Sequence, residues 1–245
     1  MKLSPKEKAA QKAAFRALSP AKKAEHIYIY YKWYILLGLA ALLILGSTLH
    51  RALTKKDPVL YLAFANVAVG SDLEEDLTGD FLLYDGADLR KTEVYLYRDL
   101  YLDEDADHLD HAYAYASNVK LMGAIQTQKL DLVLMDRKAY DLLSEKGYLL
   151  SLAEPPEGAA PGLWEAMAPF VTENEVVLSD NELEVTLGEA ETWERVTERV
   201  PNALRVTELE TISRAAPDGE LYLGLIANSP RQAAALRYLA YLLAP

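Results

Sequence analysis

The chain has 245 residues and no cysteine, so neither a disulfide framework nor a thiol nucleophile is available. Its net charge of −12 is unevenly distributed: residues 1–32 carry eight Lys or Arg against Glu7 and Glu25, whereas residues 58–245 carry 14 basic and 34 acidic side chains. Acidity on that scale excludes a nucleic-acid partner, whose phosphates it would repel, and the length allows one or two modest domains.

Taken in chain order, residues 1–27 read as a basic helical segment on the cytoplasmic side. Ser4-Pro5-Lys6-Glu7 has the pattern of a capping box with proline at the first helical position, and Leu18-Ser19-Pro20 repeats Leu3-Ser4-Pro5 at a second helix start. Residues 28–50 follow as a membrane-spanning helix. Seventeen residues between Lys32 and His50 carry no charge, enough for a helix of roughly 26 Å. Tyr28, Tyr30, Tyr31, Trp33 and Tyr34 bank at one end like an interfacial aromatic belt, among which the Lys32 ammonium can reach water. Two rival readings exist, a buried core helix and a cleaved signal peptide ending near Gly46-Ser47. The banked aromatics oppose the first, and the long segment before the apolar run opposes the second. The positive-inside rule then places the N-terminus in the cytoplasm and the acidic remainder outside the membrane, with residues 51–57 as linker and the bilayer as partner of 28–50.

Beyond the linker the pattern becomes α/β. Pro58–Ala65 is an apolar run of strand length. Ser71 and Glu74 suggest a capping box opening a helix with Leu73, Leu77 and Phe81 on one side. Val94–Tyr97 reads as a strand. The stretch 103–116 is ambiguous, with acids suited to a first helical turn and Ala112-Tyr113-Ala114-Tyr115 alternating like a strand; a helix starts at Ser117 or Asn118. Leu130–Leu134 is a strand, Asp136 caps a helix that ends at Lys146-Gly147, and Tyr148–Leu150 is a short strand. Strand and helix thus alternate as in a parallel sheet covered by helices. After a Pro- and Gly-rich loop at 153–162 the alternation fails. Glu175–Leu178 and Leu183–Leu187 read as a hairpin and Thr192–Val200 as weakly helical. Leu221–Ile226 is then a strand, and Ser229-Pro230 opens a last helix to Leu243.

Three pieces carry a family resemblance: SNVKLMGAIQTQKLDLVLMD at 117–136, AYDLLSEKGYLLSL at 139–152 and ELYLGLIANSPRQAAALRYLAYLL at 220–243. They resemble extracytoplasmic solute-binding proteins of the two-lobed, type 2 periplasmic-binding kind. The tyrosine-flanked membrane stretch is similar to uncharacterised single-pass proteins of Gram-positive bacteria that carry such a domain. The resemblance implies a mostly parallel sheet, a first lobe built from 58–152 and 220–245, and a small second lobe or insertion at 153–219. It implies a small ligand or an envelope protein as partner; a ligand-free subunit of a membrane complex is the second reading.

Ligands of open α/β sheets sit beyond the carboxyl ends of the strands. The polar residues expected there are Asn66, Arg98, Asp99, Asp136 and Asn228, with Ser117 and Asn118 at a helix N-terminus able to hold an anion. Each has a plainer reading as a cap or turn residue. Glu104, Asp107, His108 and His111, with Asp110 beside them, have the i,i+4 spacing of carboxylate and imidazole that can hold a divalent metal, the basis for a third reading as a metal-dependent hydrolase. The simpler interpretation is an acidic helix start. Tyr95, Tyr97, Tyr101, Tyr113 and Tyr115 could line a stacking surface. No Gly-x-Ser-x-Gly, Gly-rich phosphate loop or His-Glu-x-x-His occurs, so the sequence reads as a binding protein rather than an enzyme, with no cofactor.

Overall fold

The computed structural model describes residues 17, 19–103, 111–181, 186–187, 192–213 and 219–244. It forms two compact units, residues 1–55 and 56–245.

In the first unit the helix α1 (Pro20–Thr54) contains a segment, Lys32–His50, that is long and apolar enough to cross a membrane. None of that segment is buried: Trp33, Tyr34, Leu37 and Leu42 each expose more than half of their surface. Lys32 lies over the Trp33 ring, its ammonium 5.9 Å from the centroid. The short helix expected from Ser4 falls almost wholly outside the described residues.

The second unit begins with β1 (Asp57–Ala65) and continues through α2 (Ser71–Glu75), a π turn (Asp76–Asp80) and α3 (Phe81–Tyr84) to β2 (Thr92–Leu100). Next come α4 (His111–Gln126), β3 (Leu132–Met135), α5 (Arg137–Glu145) and α6 (Leu163–Met167). They are followed by β4 (Val171–Asp180), β5 (Arg195–Arg205), α7 (Glu210–Ser213), β6 (Tyr222–Leu225) and α8 (Gln232–Leu242). The strands make one six-stranded sheet in the order β2-β1-β3-β6-β5-β4. Alternate residues of β1 divide between two cores. Leu60, Leu62 and Phe64 pack with Leu73, Leu77, Phe81 and Leu239 on one face; Ala63 and Ala65 pack with Leu121, Ile125, Tyr140 and Leu143 on the other. The crossovers β1→β2 and β2→β3 therefore run over opposite faces, and the chain leaves the carboxyl ends of β1 and β3 in opposite directions.

The sheet is mixed, not mostly parallel. β1 pairs in parallel with β2 and β3, but β3–β6, β6–β5 and β5–β4 are antiparallel. The reason lies in how β6 enters. A parallel neighbour needs a crossover of a dozen or more residues laid over a sheet face. Against β5 no such crossover is needed, since β6 pairs with it antiparallel, and the Val206 N–H donates to the Leu221 carbonyl (2.9 Å). Leu221–Ile226 is thus a central strand beside β3, as expected, but reversed. Gly224 suits this position, since a Cβ there would meet Leu149 Cδ2 at 2.7 Å and Met135 Cε at 2.9 Å.

The stretch 153–219, expected as a small second lobe or an insertion with a β-hairpin, carries the β4–β5 hairpin. β4 and β5 extend the same sheet through β6, and residues 56–245 form one unit. The hairpin is longer than the sequence suggested and its second strand lies later. Thr192–Val200 enters β5 rather than a helix, because β4 supplies a partner for each of its residues from Arg195 onward. The hairpin lies along α5 through buried polar contacts. The Tyr140 hydroxyl donates to Asn202 Oδ1 (2.8 Å), Asn202 Nδ2 to Ser144 Oγ (2.8 Å), and Ser144 Oγ to the Glu175 carbonyl (2.8 Å).

Two smaller corrections concern helix starts. Ser71 and Glu74 form no capping box, since extended Gly70 takes the N-cap position and no side chain caps the helix. The alternating Ala112–Tyr115 is helical, because Ala114, Ser117, Leu121, Ala124 and Ile125 form a buried stripe at helical spacing on α4.

Candidate functional site

An open cleft of about 440 Å³ lies beyond the carboxyl ends of β1, β2 and β3. It occupies the point where the connections from β1 and β3 diverge, the usual ligand position in an open α/β sheet. Each wall has a local cause. β1 ends at Asn66, whose φ is +59°, a left-handed conformation that asparagine tolerates better than most residues. Its side chain then bonds the neighbouring chain in both directions. Asn66 Nδ2 donates to the Leu102 carbonyl (2.8 Å), the Leu102 N–H donates to Asn66 Oδ1 (2.7 Å), and Nδ2 also reaches Asp136 Oδ1 at 3.1 Å. β2 ends in a bulge: Ala63 pairs with Tyr97 and Ala65 with Leu100, so Arg98 and Asp99 together oppose Phe64. Asp99 takes φ +57° there, and the Tyr113 hydroxyl of α4 donates to its carbonyl. β3 ends at Asp136, the N-cap of α5, whose Oδ1 accepts from the Ala139 N–H (2.8 Å).

The rim adds Asp103 and Lys138. The Lys138 ammonium donates to Asp103 Oδ2 at 2.9 Å, as does the Tyr101 hydroxyl at 3.1 Å. That carboxylate hydrogen bond holds the Lys138 ammonium above the usual lysine range. The Tyr101 and Tyr113 rings are stacked, 6.4 Å between centroids and 22° between planes. Among the described residues, three carboxylates, one ammonium and two phenols therefore line the cleft, and the nearest polar groups brace one another.

Of the expected residues, Asn66, Asp99 and Asp136 line this cleft. Arg98 instead pairs with Glu74 on α2. Ser117 is buried in the middle of α4 and Asn118 follows it, so neither stands at a helix N-terminus. Asn228 lies at the opposite end of the sheet, because β6 is reversed; its Nδ2 donates to the Ile125 carbonyl (2.9 Å). Glu104, Asp107, His108 and Asp110 lie outside the described residues, and His111 is the first residue of α4. Among the described residues no group of three His, Asp or Glu side chains is placed to hold a metal ion. The five tyrosines do not share one surface. Tyr95 and Tyr97 cluster with Tyr61, Tyr101 and Tyr113 line the cleft, and Tyr115 is exposed on α4. Sequence reasoning did not single out Lys138; its position two residues after a strand-end cap is the signal that could have found it.

At the other end of the sheet Asp131 is wholly buried. It accepts from the Tyr61 N–H (2.8 Å), Ser229 Oγ (2.5 Å) and Arg231 Nε (2.9 Å), and the Arg231 guanidinium lies 4.5 Å from the Tyr61 ring centroid. This arrangement ties the start of α8 to β1 and β3; it is a structural clamp remote from the cleft.

No family model and no curated protein matches the chain. Among solved structures it is similar to a mutant of Corynebacterium glutamicum OxyR with hydrogen peroxide bound, at 12% identity over 99% of this chain and 86% of that one, with a TM-score of 0.24. At that score the similarity bears on neither fold nor function.

Proposed function

We propose that this chain is a single-pass membrane protein whose exported α/β domain binds a small ligand in the cleft beyond β1, β2 and β3, in the manner of a solute-binding domain and without catalysing a reaction. The cleft carries the reading: it has the volume of a small-molecule site and lies at the divergence point of the sheet. The exposed apolar segment Lys32–His50 supports the anchor, and the excess of Lys and Arg before it supports an N-terminus in the cytoplasm. The test is a thermal-shift screen of the full chain in detergent against polar metabolites. A ligand near one hundred times its Kd adds about 2.7 kcal/mol, a shift of several degrees. Ala68→Trp, a substitution at an exposed residue lining the cleft, should abolish the shift. If no compound gives a shift sensitive to Ala68→Trp, the cleft is not a binding site.

A second reading, an interaction subunit of an envelope complex, is favoured by the hairpin, on which Leu178, Trp193 and Val196 are all more than half exposed. A pull-down that depends on these residues, with no small molecule bound, would favour it.

A further inference from the structure

We infer that the cleft takes a small organic ammonium ligand, with Asp99 as its principal counter-charge and the Tyr101–Tyr113 pair as an aromatic wall. The inference rests on the cleft being a binding site, as proposed above. Among the described residues, three carboxylates, Asp99, Asp103 and Asp136, line the space against a single ammonium, Lys138. That ammonium is already engaged by Asp103, and Asp136 is engaged at the N-terminus of α5. The uncompensated charge is therefore negative and centred on Asp99, which is exposed on the bulge. An anionic ligand would meet repulsion from Asp99 and Asp136 and would have to draw Lys138 away from Asp103.

The stacked phenols make the same selection by a different mechanism. The face of an aromatic ring attracts a cation within about 6 Å of its centroid. Tyr113 is half exposed, and its hydroxyl is fixed to the backbone carbonyl of Asp99, so the ring is anchored at the residue that carries the carboxylate, and both line the cleft. An ammonium group between them gains a charge-assisted hydrogen bond and a cation–π contact together.

Three four-carbon probes that differ in charge test this: 1,4-diaminobutane, 1,4-butanediol and succinate, measured by saturation-transfer NMR on the full chain in detergent micelles. The diamine should bind, and the diol and succinate should bind at least about tenfold more weakly, the scale of one hydrogen bond to a charged group. Asp99→Asn keeps the shape and suits a left-handed backbone, and should weaken the diamine by about tenfold or more. Lys138→Gln should tighten it by freeing Asp103, a gain that a merely structural role for Lys138 would not produce. Preference for the diol or succinate, diamine binding indifferent to Asp99→Asn, or no binding of the diamine would each overturn the ammonium assignment. The cleft itself fails only if no metabolite gives an Ala68→Trp-sensitive shift, so the two failures are distinguishable.

Discussion

Asn66 and Asp136 end adjacent parallel strands, and the 3.1 Å hydrogen bond between Asn66 Nδ2 and Asp136 Oδ1 closes the floor of the cleft. The same amide bonds both backbone groups of Leu102, so one side chain joins the exits of β1, β2 and β3. Asn66→Ala removes these bonds and places a Cβ residue poorly suited to φ +59° there. The expected loss is about 2–3 kcal/mol in urea unfolding. Asn66→Gly loses the same bonds without the backbone strain and should be about 1 kcal/mol less harmful. Equal costs for the two variants would show that the left-handed backbone stores no strain.

Arg231→Met leaves the Asp131 carboxylate buried without its cation. The expected cost is about 3 kcal/mol, at the low end for a broken buried pair because Arg231 is partly exposed. Adding Asp131→Asn should recover at least about 1 kcal/mol of that, read as a coupling energy in a double-mutant cycle. Strict additivity would mean that the two side chains do not interact.

Burial raises the phenol pKa of Tyr97, Tyr140, Tyr222, Tyr238 and Tyr241 above the ordinary 10.0. A raised native pKa means that the folded protein holds these protons more tightly than the unfolded chain. Their contribution is therefore complete below about pH 10 and is lost as the pH rises above it. The midpoint of thermal unfolding should be flat from pH 8 to about 9.5 and fall steeply beyond, with the share of the 295 nm tyrosinate absorbance that belongs to the buried rings appearing together with unfolding. Tyrosinate formation in a still-folded protein near pH 10 at all positions would contradict the burial of these rings.

β6 joins β3 to β5, so residues 220–245 hold the two halves of the sheet together. Deleting them from the full chain should abolish cooperative unfolding and collapse hydrogen-exchange protection in Leu60–Phe64. A sharp transition with protection intact would make the C-terminal unit an appendage.

How much of this was legible in the sequence differs from element to element. The apolar run of β1 and the Asp136 cap of α5 declared themselves, because period and cap chemistry are local. The membership of Leu221–Ile226 in the central sheet was also legible, but its direction was not: Tyr-Leu-Gly-Leu buried on both faces reads the same either way. That one reversal moved Asn228 to the wrong end of the sheet while leaving Asn66, Asp99 and Asp136 at the cleft. β5 was missed because charged Arg195–Arg199 is exposed on both faces and shows no alternation. The start of α4 was missed because Ala-Tyr-Ala-Tyr satisfies a strand pattern until the buried stripe running to Ile125 is seen.

The claim on which the rest depends is that the cleft faces the outside of the cell. The chain has no cysteine, so single reporters are clean. A cysteine replacing exposed Ser71, and another replacing Ser4, are to be treated on intact cells with a membrane-impermeant thiol reagent. The account predicts labelling at position 71 and none at position 4 until the membrane is broken. Labelling at 4 with protection at 71 would place the α/β domain in the cytoplasm and contradict the account.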